Sequence, residues 1–285
     1  MEPRFIDRKN VEILYQYCSP ETFINIIQNK TLRFSDIFAM NDFTETHWGE
    51  KILNDAVDRL GDKIPDELAS YLRQVFPELR ENLLPTVCCF SRDGDVLSQW
   101  RAYGHDGSGY AIGFAIDEMH SVPARPLEIL YETDDQIREA EEYVKHLAAP
   151  PDLSIFSFDE DCKKKIRTFA SDLCAFKNPG FREELEIRLV HMLLVDRTQN
   201  QRKLRSVGGY SKDKEIEGSE IKFRNSNSTP VAFVDLKFDL DPTEKPIKKL
   251  YLGPRNKSSI SSIQNFLGTN GVHNVEIRKS ETSYG

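Results

Sequence analysis

Long hydrophobic runs are missing from this sequence. No window approaches the roughly 18 uninterrupted apolar residues that a membrane-spanning helix needs. The first residues, MEPRFIDRKN, also lack the apolar stretch of a secretory signal peptide. We therefore expect a cytoplasmic protein that does not act at a membrane.

Paired cysteines and metal-binding patterns are missing as well. The five cysteines are odd in number and form no C-x-x-C pair, which argues against a disulfide framework and a zinc ribbon. The six histidines include no pair spaced i, i+4, so no metal site is predicted. The net charge of -8 disfavours broad adhesion to nucleic acid, although a local basic patch remains compatible with it.

The common catalytic signatures are also absent. The chain contains no P-loop, no H-E-x-x-H, no G-x-S-x-G elbow and no G-x-G-x-x-G after a predicted strand. Its 285 residues, 39% of them hydrophobic and 29% charged, have the composition of an ordinary folded globular protein. Function therefore has to be inferred from less common arrangements of residues.

Hydrophobic periodicity predicts a strand, a helix and a strand at the start of the chain. The first strand covers residues 12–17, and the helix runs from Pro20 to Asn29. Ser19 can cap this helix, and proline suits its first turn. Residues 32–35 then alternate as a short strand does.

The rest of the chain predicts a single α+β domain over residues 1–285. Helical spacing indicates helical insertions at about 45–83 and 133–175, and shorter helices near 95–103 and 258–267. Further strands are predicted at 87–91, 110–116, 126–131, 184–195, 231–236, 247–252 and 272–277. No internal repeat and no flexible linker marks a domain boundary.

The densest group of ionisable residues is FREELEIRLV, residues 181–190. On a strand, the two-residue period places Glu184, Glu186 and Arg188 on one face. The other face then carries Leu185, Ile187 and Leu189.

Three interpretations of this strand remain open. It can be a solvated face on which Arg188 neutralises the acids. Its carboxylates can instead stabilise an oxocarbenium-like centre while a glycosidic bond breaks. Glu186-x-Arg188 also loosely resembles the E-x-K element of nucleases, in which carboxylates hold Mg²⁺ beside a phosphate.

Aromatic and basic residues suggest further sites. Tyr15, Tyr17, Trp100 and Tyr103 can sandwich a nicotinamide or a base, although aromatic side chains are more often part of the core. The stretch from 197 to 214 contains six basic residues and one acid, so it can guide a polyanion or form a solvated hairpin.

Four parts of the chain carry a distinctive set of features: residues 14–45, 89–117, 181–190 and the pair 250–256 with 279–285. These features include an Asn41-Asp42 turn followed by Glu45, the spacing of Ser91, Trp100 and Tyr103, and the E-x-E-x-R face. Together the four parts resemble the bacterial family known as domain of unknown function 2971 (DUF2971).

That family is in turn distantly similar to ADP-ribosyltransferases. The resemblance implies a small, split, mostly antiparallel sheet and NAD as substrate. It implies that Glu184, Glu186 and Arg188 are catalytic. It also implies that two segments bind the dinucleotide. Residues of the first strand and of the turn after it are Tyr15, Tyr17 and Ser19, and residues of segment 91–103 are Ser91, Trp100 and Tyr103.

The implied activity is transfer of ADP-ribose to a macromolecular acceptor, either a protein or a nucleic acid. The family context resembles that of toxins and anti-phage defence effectors, which would work with an antitoxin or a defence-system partner. Two alternatives remain: a nuclease or nucleic-acid-binding defence module, and a non-catalytic sensor or interaction protein.

Overall fold

The computed structural model shows an α+β protein. It describes residues 12–39, 45–119, 121–148, 159–211 and 214–284. The Asn41-Asp42 turn lies outside these ranges. No helix within them is both long enough and apolar enough to cross a membrane.

The strands lie at both ends and in the middle of the chain. They are β1 (Ile13–Cys18), β2 (Thr31–Asp36), β3 (Leu83–Ser91), β4 (Tyr110–Ala115), β5 (Arg125–Glu128), β6 (Glu186–Thr198), β7 (Gln201–Ser206), β8 (Gly209–Ser211), β9 (Lys214–Ile216), β10 (Ile221–Ser226), β11 (Thr229–Lys237), β12 (Ile247–Leu252) and β13 (Glu276–Lys279). The helices are α1 (Pro20–Asn29), α2 (Glu45–Leu60), α3 (Asp66–Asn82), α4 (Leu97–Ala102), α5 (Thr133–Ala148), α6 (Glu160–Asp172) and α7 (Ile260–Thr269).

One large sheet organises the described residues. It has eleven strands in the order β10-β11-β2-β3-β1-β4-β12-β13, and β6 pairs with β3, β5 and β7. All strand pairs described for it are antiparallel except β12 with β13. The prediction of a mostly antiparallel sheet is therefore confirmed, but the prediction of a small sheet is wrong because the hairpins after Glu186 extend it.

The sheet divides along one edge of β3. On one side, β3 pairs with β6 along its whole length, from Leu83 to Ser91. On the other side, β2 pairs only with Thr86 and Val87, whereas β1 pairs only with Ser91. The edge of β3 between Val87 and Ser91 is therefore left open, and β1 and β2 diverge from it.

Helix α1 forms as its sequence predicts. The Ser19 side chain accepts a hydrogen bond from the Thr22 backbone at 3.1 Å, which satisfies an N–H that the helix leaves unpaired. Lys30 ends the helix in a left-handed conformation. The buried face of α1 packs, together with α7, against one face of the sheet.

Helices form in both regions where the sequence predicts helical insertions, and these helices pack on each other. Helices α2 and α3 come from the first insertion, α5 and α6 from the second. Their apolar residues form a second core, whose fully buried members include Ile52, Leu68, Leu72, Ala140 and Ile166. Each helix is amphipathic, so packing the four together removes from water the apolar stripes that the sheet does not cover.

Gly109 shows how closely the turn before β4 is packed. A Cβ atom at this position would lie 2.1 Å from the Cys18 carbonyl oxygen and 2.8 Å from that of Gly104. Backbone atoms cannot move aside as flexible side chains do, so only glycine fits there without a shift of the chain.

We predict that Gly109→Ala lowers the free energy of unfolding by about 3 kcal/mol, because the added methyl overpacks against backbone. Gly268→Ala is the matched control, since Gly268 lies in α7 and a methyl group added there would meet no atom within 4 Å. This control should be neutral or stabilise by up to about 1 kcal/mol. Urea unfolding of both variants measures the difference, and equal effects would contradict the packing argument.

Candidate functional site

Three residues predicted from separate parts of the sequence lie side by side on the sheet. Tyr15 of β1 is opposite Ser91 of β3, and Ser91 is opposite Glu186 of β6. Directly paired residues project from the same face of a sheet. The structure therefore brings β1, Ser91 of β3 and the acidic start of β6 together.

Glu184 reaches this face by a different route from the predicted one. It ends a 3₁₀ turn, Pro179–Glu184, and the left-handed Leu185 (φ 47°) separates that turn from β6. The prediction that a strand begins at Glu184 is wrong, because Asn178 caps the turn and Pro179 occupies its first position. Leu185 is exposed instead of buried, whereas Ile187 and Leu189 do face the core.

Glu186 is buried and held by two cations. Its Oε1 accepts a hydrogen bond from Arg188 Nε at 2.7 Å, and its Oε2 accepts from Arg188 Nη2 at 3.1 Å and Lys177 Nζ at 2.8 Å. Burial alone would raise the pKa of Glu186, but Arg188 and Lys177 outweigh it and lower this pKa to about 2. Glu186 is therefore ionised at neutral pH.

Arg188 is completely buried as well. Besides Glu186, it binds the Cys174 carbonyl oxygen through Nη1 at 2.7 Å. The interpretation of a solvated strand face is therefore wrong, although the expected neutralisation of an acid by Arg188 does occur. Because its guanidinium faces Glu186 and the backbone, the structure places Arg188 as a support for the carboxylate.

Lys177 joins the two glutamates and was not predicted from the sequence. Its ammonium donates to both Glu184 Oε2 and Glu186 Oε2, and it lies 4.8 Å from the centre of the Phe181 ring. The one signal in the sequence is a lysine that directly follows the apolar run Leu173–Phe176. A charged residue there suggests a buried partner, but periodicity cannot say which one.

Glu184 is the more accessible of the two acids. It accepts a hydrogen bond from the Tyr103 hydroxyl at 3.2 Å, and its backbone oxygen accepts one from Ser91 Oγ at 2.9 Å. Burial raises the pKa of Glu184, and the Lys177 ammonium opposes this effect only in part. Tyr103 is itself partly exposed, so its ring and the Glu184 carboxylate form an accessible rim.

These residues line a cavity of about 400 Å³ at the division of the sheet. Its walls come from β1, β2, β3, β10, α4, the 3₁₀ turn and the start of β6. The lining residues are Tyr15, Gln16, Tyr17, Arg33, Ser35, Val87, Cys88, Cys89, Phe90, Ser91, Gln99, Tyr103, Lys177, Phe181, Glu184, Glu186 and Arg224. This volume lies within the range of small-molecule sites.

Tyr17 lines the cavity, but its hydroxyl is already bonded. It donates to the Asp93 carbonyl oxygen at 2.9 Å and accepts from the Val96 amide at 2.8 Å. These bonds hold the loop between β3 and α4 against β1. Burial raises the pKa of Tyr15 to about 12, so its hydroxyl stays protonated even where a free tyrosine would ionise.

Two predicted ligand-binding residues lie elsewhere. Trp100 does not line the cavity: it is completely buried, packs edge-on against Tyr17, and donates from Nε1 to Asp95 at 2.7 Å. Ser19 does not line it either, because its hydroxyl caps α1. The expected contacts of Trp100 and Ser19 with a dinucleotide are therefore not supported, and both residues have structural roles.

A larger cavity lies beside the site. It measures about 1000 Å³, runs between α1 and residues 215–220, and shares Gln16 and Arg33 with the smaller cavity. None of the predicted site residues lines it, and its charged residues have both signs. We therefore regard the smaller cavity, where the predicted residues converge, as the candidate site.

The basic stretch forms a solvated hairpin where it is described. Arg197 pairs with Arg202 across β6 and β7, and their side chains are exposed. Arg197 also binds Glu81, and Arg205 binds Asp196. Lys212 lies outside the described residues, so the steering of a polyanion by the whole stretch stays a prediction.

The comparisons with known proteins identify one family. The family described as "Protein of unknown function (DUF2971)" matches residues 99–189. This segment belongs to the DUF2971 family. The predicted resemblance is thereby confirmed, while no curated protein and no solved structure matches the chain.

The DUF2971 segment covers only part of the cavity. It contains Tyr103, Lys177, Glu184 and Glu186, which line one wall of the cavity, and Arg188, which supports Glu186 from behind. The opening tyrosines and Ser91 precede it. The complete cavity is therefore assembled from the DUF2971 segment together with strands on both sides of it in the chain.

We predict that Lys177→Met lowers the free energy of unfolding by about 3 kcal/mol at neutral pH, because it leaves buried carboxylates without their shared cation. Losing the ammonium raises the pKa of Glu184 further above its unfolded value. The folded variant then binds a proton more tightly than the unfolded chain does. Its loss of unfolding free energy relative to the parent chain should therefore be smaller at pH 5 and larger at pH 8.

Urea unfolding at the two pH values measures this loss. Adding Glu184→Gln to Lys177→Met should restore part of the stability, because it removes the carboxylate that has lost its cation, whereas Glu186 stays paired with Arg188. Lys165→Met is the matched control: this exposed lysine pairs with Asp161, and its loss should change stability by less than about 1 kcal/mol. Equal losses at Lys177 and Lys165 would contradict the proposed ionic support.

Proposed function

We propose that this chain is an NAD-dependent ADP-ribosyltransferase whose active site is the cavity at the division of the sheet. The main support is the row formed by Tyr15, Ser91 and Glu186 on neighbouring strands. Such a row places an aromatic ring, a hydroxyl and a carboxylate around one cavity. The resemblance to ADP-ribosyltransferases that we infer from the sequence makes NAD⁺ the preferred ligand.

A carboxylate beside the ribose is the group that breaking an N-glycosidic bond requires. As the bond between nicotinamide and ribose breaks, nicotinamide leaves with the bonding electron pair and positive charge develops on the ribose. A nearby ionised carboxylate stabilises that charge, most strongly where water is excluded. An acceptor oxygen or nitrogen then attacks the ribose carbon, and its proton passes to water.

Within this proposal, Glu184 and Glu186 have different roles. Glu186 is buried and accepts three bonds from Arg188 and Lys177, so it anchors the site. Glu184 accepts one bond at each oxygen, from Tyr103 and Lys177. Glu184 is less buried and lies at the rim with Tyr103, where a ligand can reach it. We therefore propose Glu184 as the carboxylate that faces the ribose, and the Tyr103 ring as the surface on which nicotinamide packs.

The nuclease alternative receives less support from the same contacts. A Mg²⁺ ion needs free carboxylate oxygens, and those of Glu186 already accept three N–H bonds. Within the residues that the structure describes, no group of three or more His, Cys, Asp and Glu side chains is arranged to hold a metal ion.

The biological setting remains a further part of the proposal. The family resemblance alone suggests a toxin or an anti-phage defence effector that modifies a protein or a nucleic acid. An antitoxin or a defence-system partner would then control it. A non-catalytic sensor would use the same cavity for binding without turnover.

The test is nicotinamide release and transfer of label from NAD⁺ in a cell extract. We expect Glu184→Gln to lower turnover at least 100-fold, as loss of a group that stabilises the transition state does. Glu183→Gln is the matched control, because Glu183 is the exposed neighbour in the same turn and does not line the cavity. Full turnover in Glu184→Gln, or none in the parent chain with any extract, would contradict the proposal.

The pH dependence of this reaction gives a second test. Glu184 acts as a carboxylate, so turnover should fall as pH drops through its pKa. Because burial raises that pKa, the acidic limb of kcat/KM should lie above the ordinary glutamate value of 4.5. An acidic limb at or below 4.5, measured with the folded protein, would exclude Glu184 from this role.

A further inference from the structure

Arg224 contributes a positive charge to the cavity from a distant part of the chain. It lies on β10, and β11, β2 and β3 separate that strand from the acidic start of β6. Arg224 nevertheless lines the same cavity as Glu184 and Glu186. The cavity therefore extends from a carboxylate wall to a strand that carries a cation.

The other charges around the cavity are compensated. Lys177 and Arg188 bind Glu184 and Glu186, as described above. Arg33 donates to both oxygens of Asp235, at 2.9 and 3.2 Å. Among the described residues, Arg224 has no hydrogen-bonded or ion-paired side-chain partner, although it is partly removed from solvent. A partly buried guanidinium without a counter-ion favours an anionic ligand.

Arg33 and Ser35 extend this polar end of the cavity. Across β2 and β11, Arg33 pairs with Asp235 and Ser35 with Phe233, so these side chains share a face. Across β10 and β11, Arg224 is opposite Val231, two residues from Phe233. The Arg33 guanidinium is fixed 3.9 Å above the Phe233 ring, and it lines the cavity beside Ser35 and Arg224.

We infer that Arg224, assisted by Arg33 and Ser35, binds the diphosphate group of a nucleotide ligand. Guanidinium groups match phosphate oxygens through paired N–H donors, and a serine hydroxyl adds another. The inference rests on the proposed function to the extent that NAD⁺ carries such a diphosphate. The inference also gives the orientation of NAD⁺ in the cavity. Its diphosphate lies toward β2 and β10, and its reacting ribose lies toward β6.

Calorimetric titration with ADP, adenosine and inorganic pyrophosphate tests this subsite. We expect the parent chain to bind ADP more tightly than adenosine. Arg224→Gln should weaken ADP binding at least tenfold, which corresponds to about 1.4 kcal/mol, and should leave adenosine binding unchanged. Arg224→Lys should retain part of the affinity, because it keeps the charge but loses the paired donors.

Arg197→Gln is the matched control, since it removes the same charge from the exposed hairpin outside the cavity. Urea unfolding shows whether Arg224→Gln is folded. If this variant is destabilised, the ADP affinity of Arg224→Lys is compared with that of the parent chain instead. Equal weakening by the Arg224 and Arg197 variants would overturn the inference. So would an affinity for ADP no greater than that for adenosine, or no binding of ADP at all.

The same variants separate this inference from the proposed activity. ADP binding that depends on Arg224 without any nicotinamide release would support the diphosphate subsite and contradict the transferase. Nicotinamide release with an unchanged KM for NAD⁺ in Arg224→Gln would support the transferase and overturn the subsite.

Discussion

The ionic contact between Glu186 and its two cations is the constraint on which the candidate site depends. Lys177 comes from the segment before the 3₁₀ turn and Arg188 from β6, so one carboxylate fixes both relative to the sheet. Taking such charges out of water is costly, and apolar residues of similar volume often stabilise a core equally well. The contribution of this network therefore lies in geometry: it keeps an ionised acid and its neighbour Glu184 at the wall of a cavity.

Much of the fold follows from local patterns in the sequence. The helix at Pro20–Asn29 and the strand at Ile247–Leu252 have the predicted bounds, because a cap, a proline or clear alternation marks their ends. The size of the sheet could not be predicted in this way. Pairing of β3 with β6 joins residues about 100 positions apart, and neither segment contains a signal that specifies its partner.

The site was predictable where chemistry is concentrated in short segments, as at Ser91 and Glu186. Lys177 and Arg224 cannot be recognised in the same way, because their contribution to the cavity depends on residues far away in the chain. Trp100 shows the opposite error. A large aromatic residue in a polar segment suggests ligand binding, but the Trp100 side chain is completely buried and its N–H is bonded to Asp95, so no part of it is left for a ligand. Glu184 lies beside Glu186 as the sequence predicts, even though the left-handed Leu185 removes it from the strand.

The open edge of β3 has a mechanical consequence. Strand β2 pairs with β3 only at its middle, at Thr86 and Val87, and β1 pairs with it only at its last residue, Ser91, whereas β6 supports the full length of the opposite edge. Few interstrand hydrogen bonds would therefore have to break for the β1 and β2 halves to rotate apart about this central strand. The width of the cleft can adjust to its occupant while the ladder behind it remains intact.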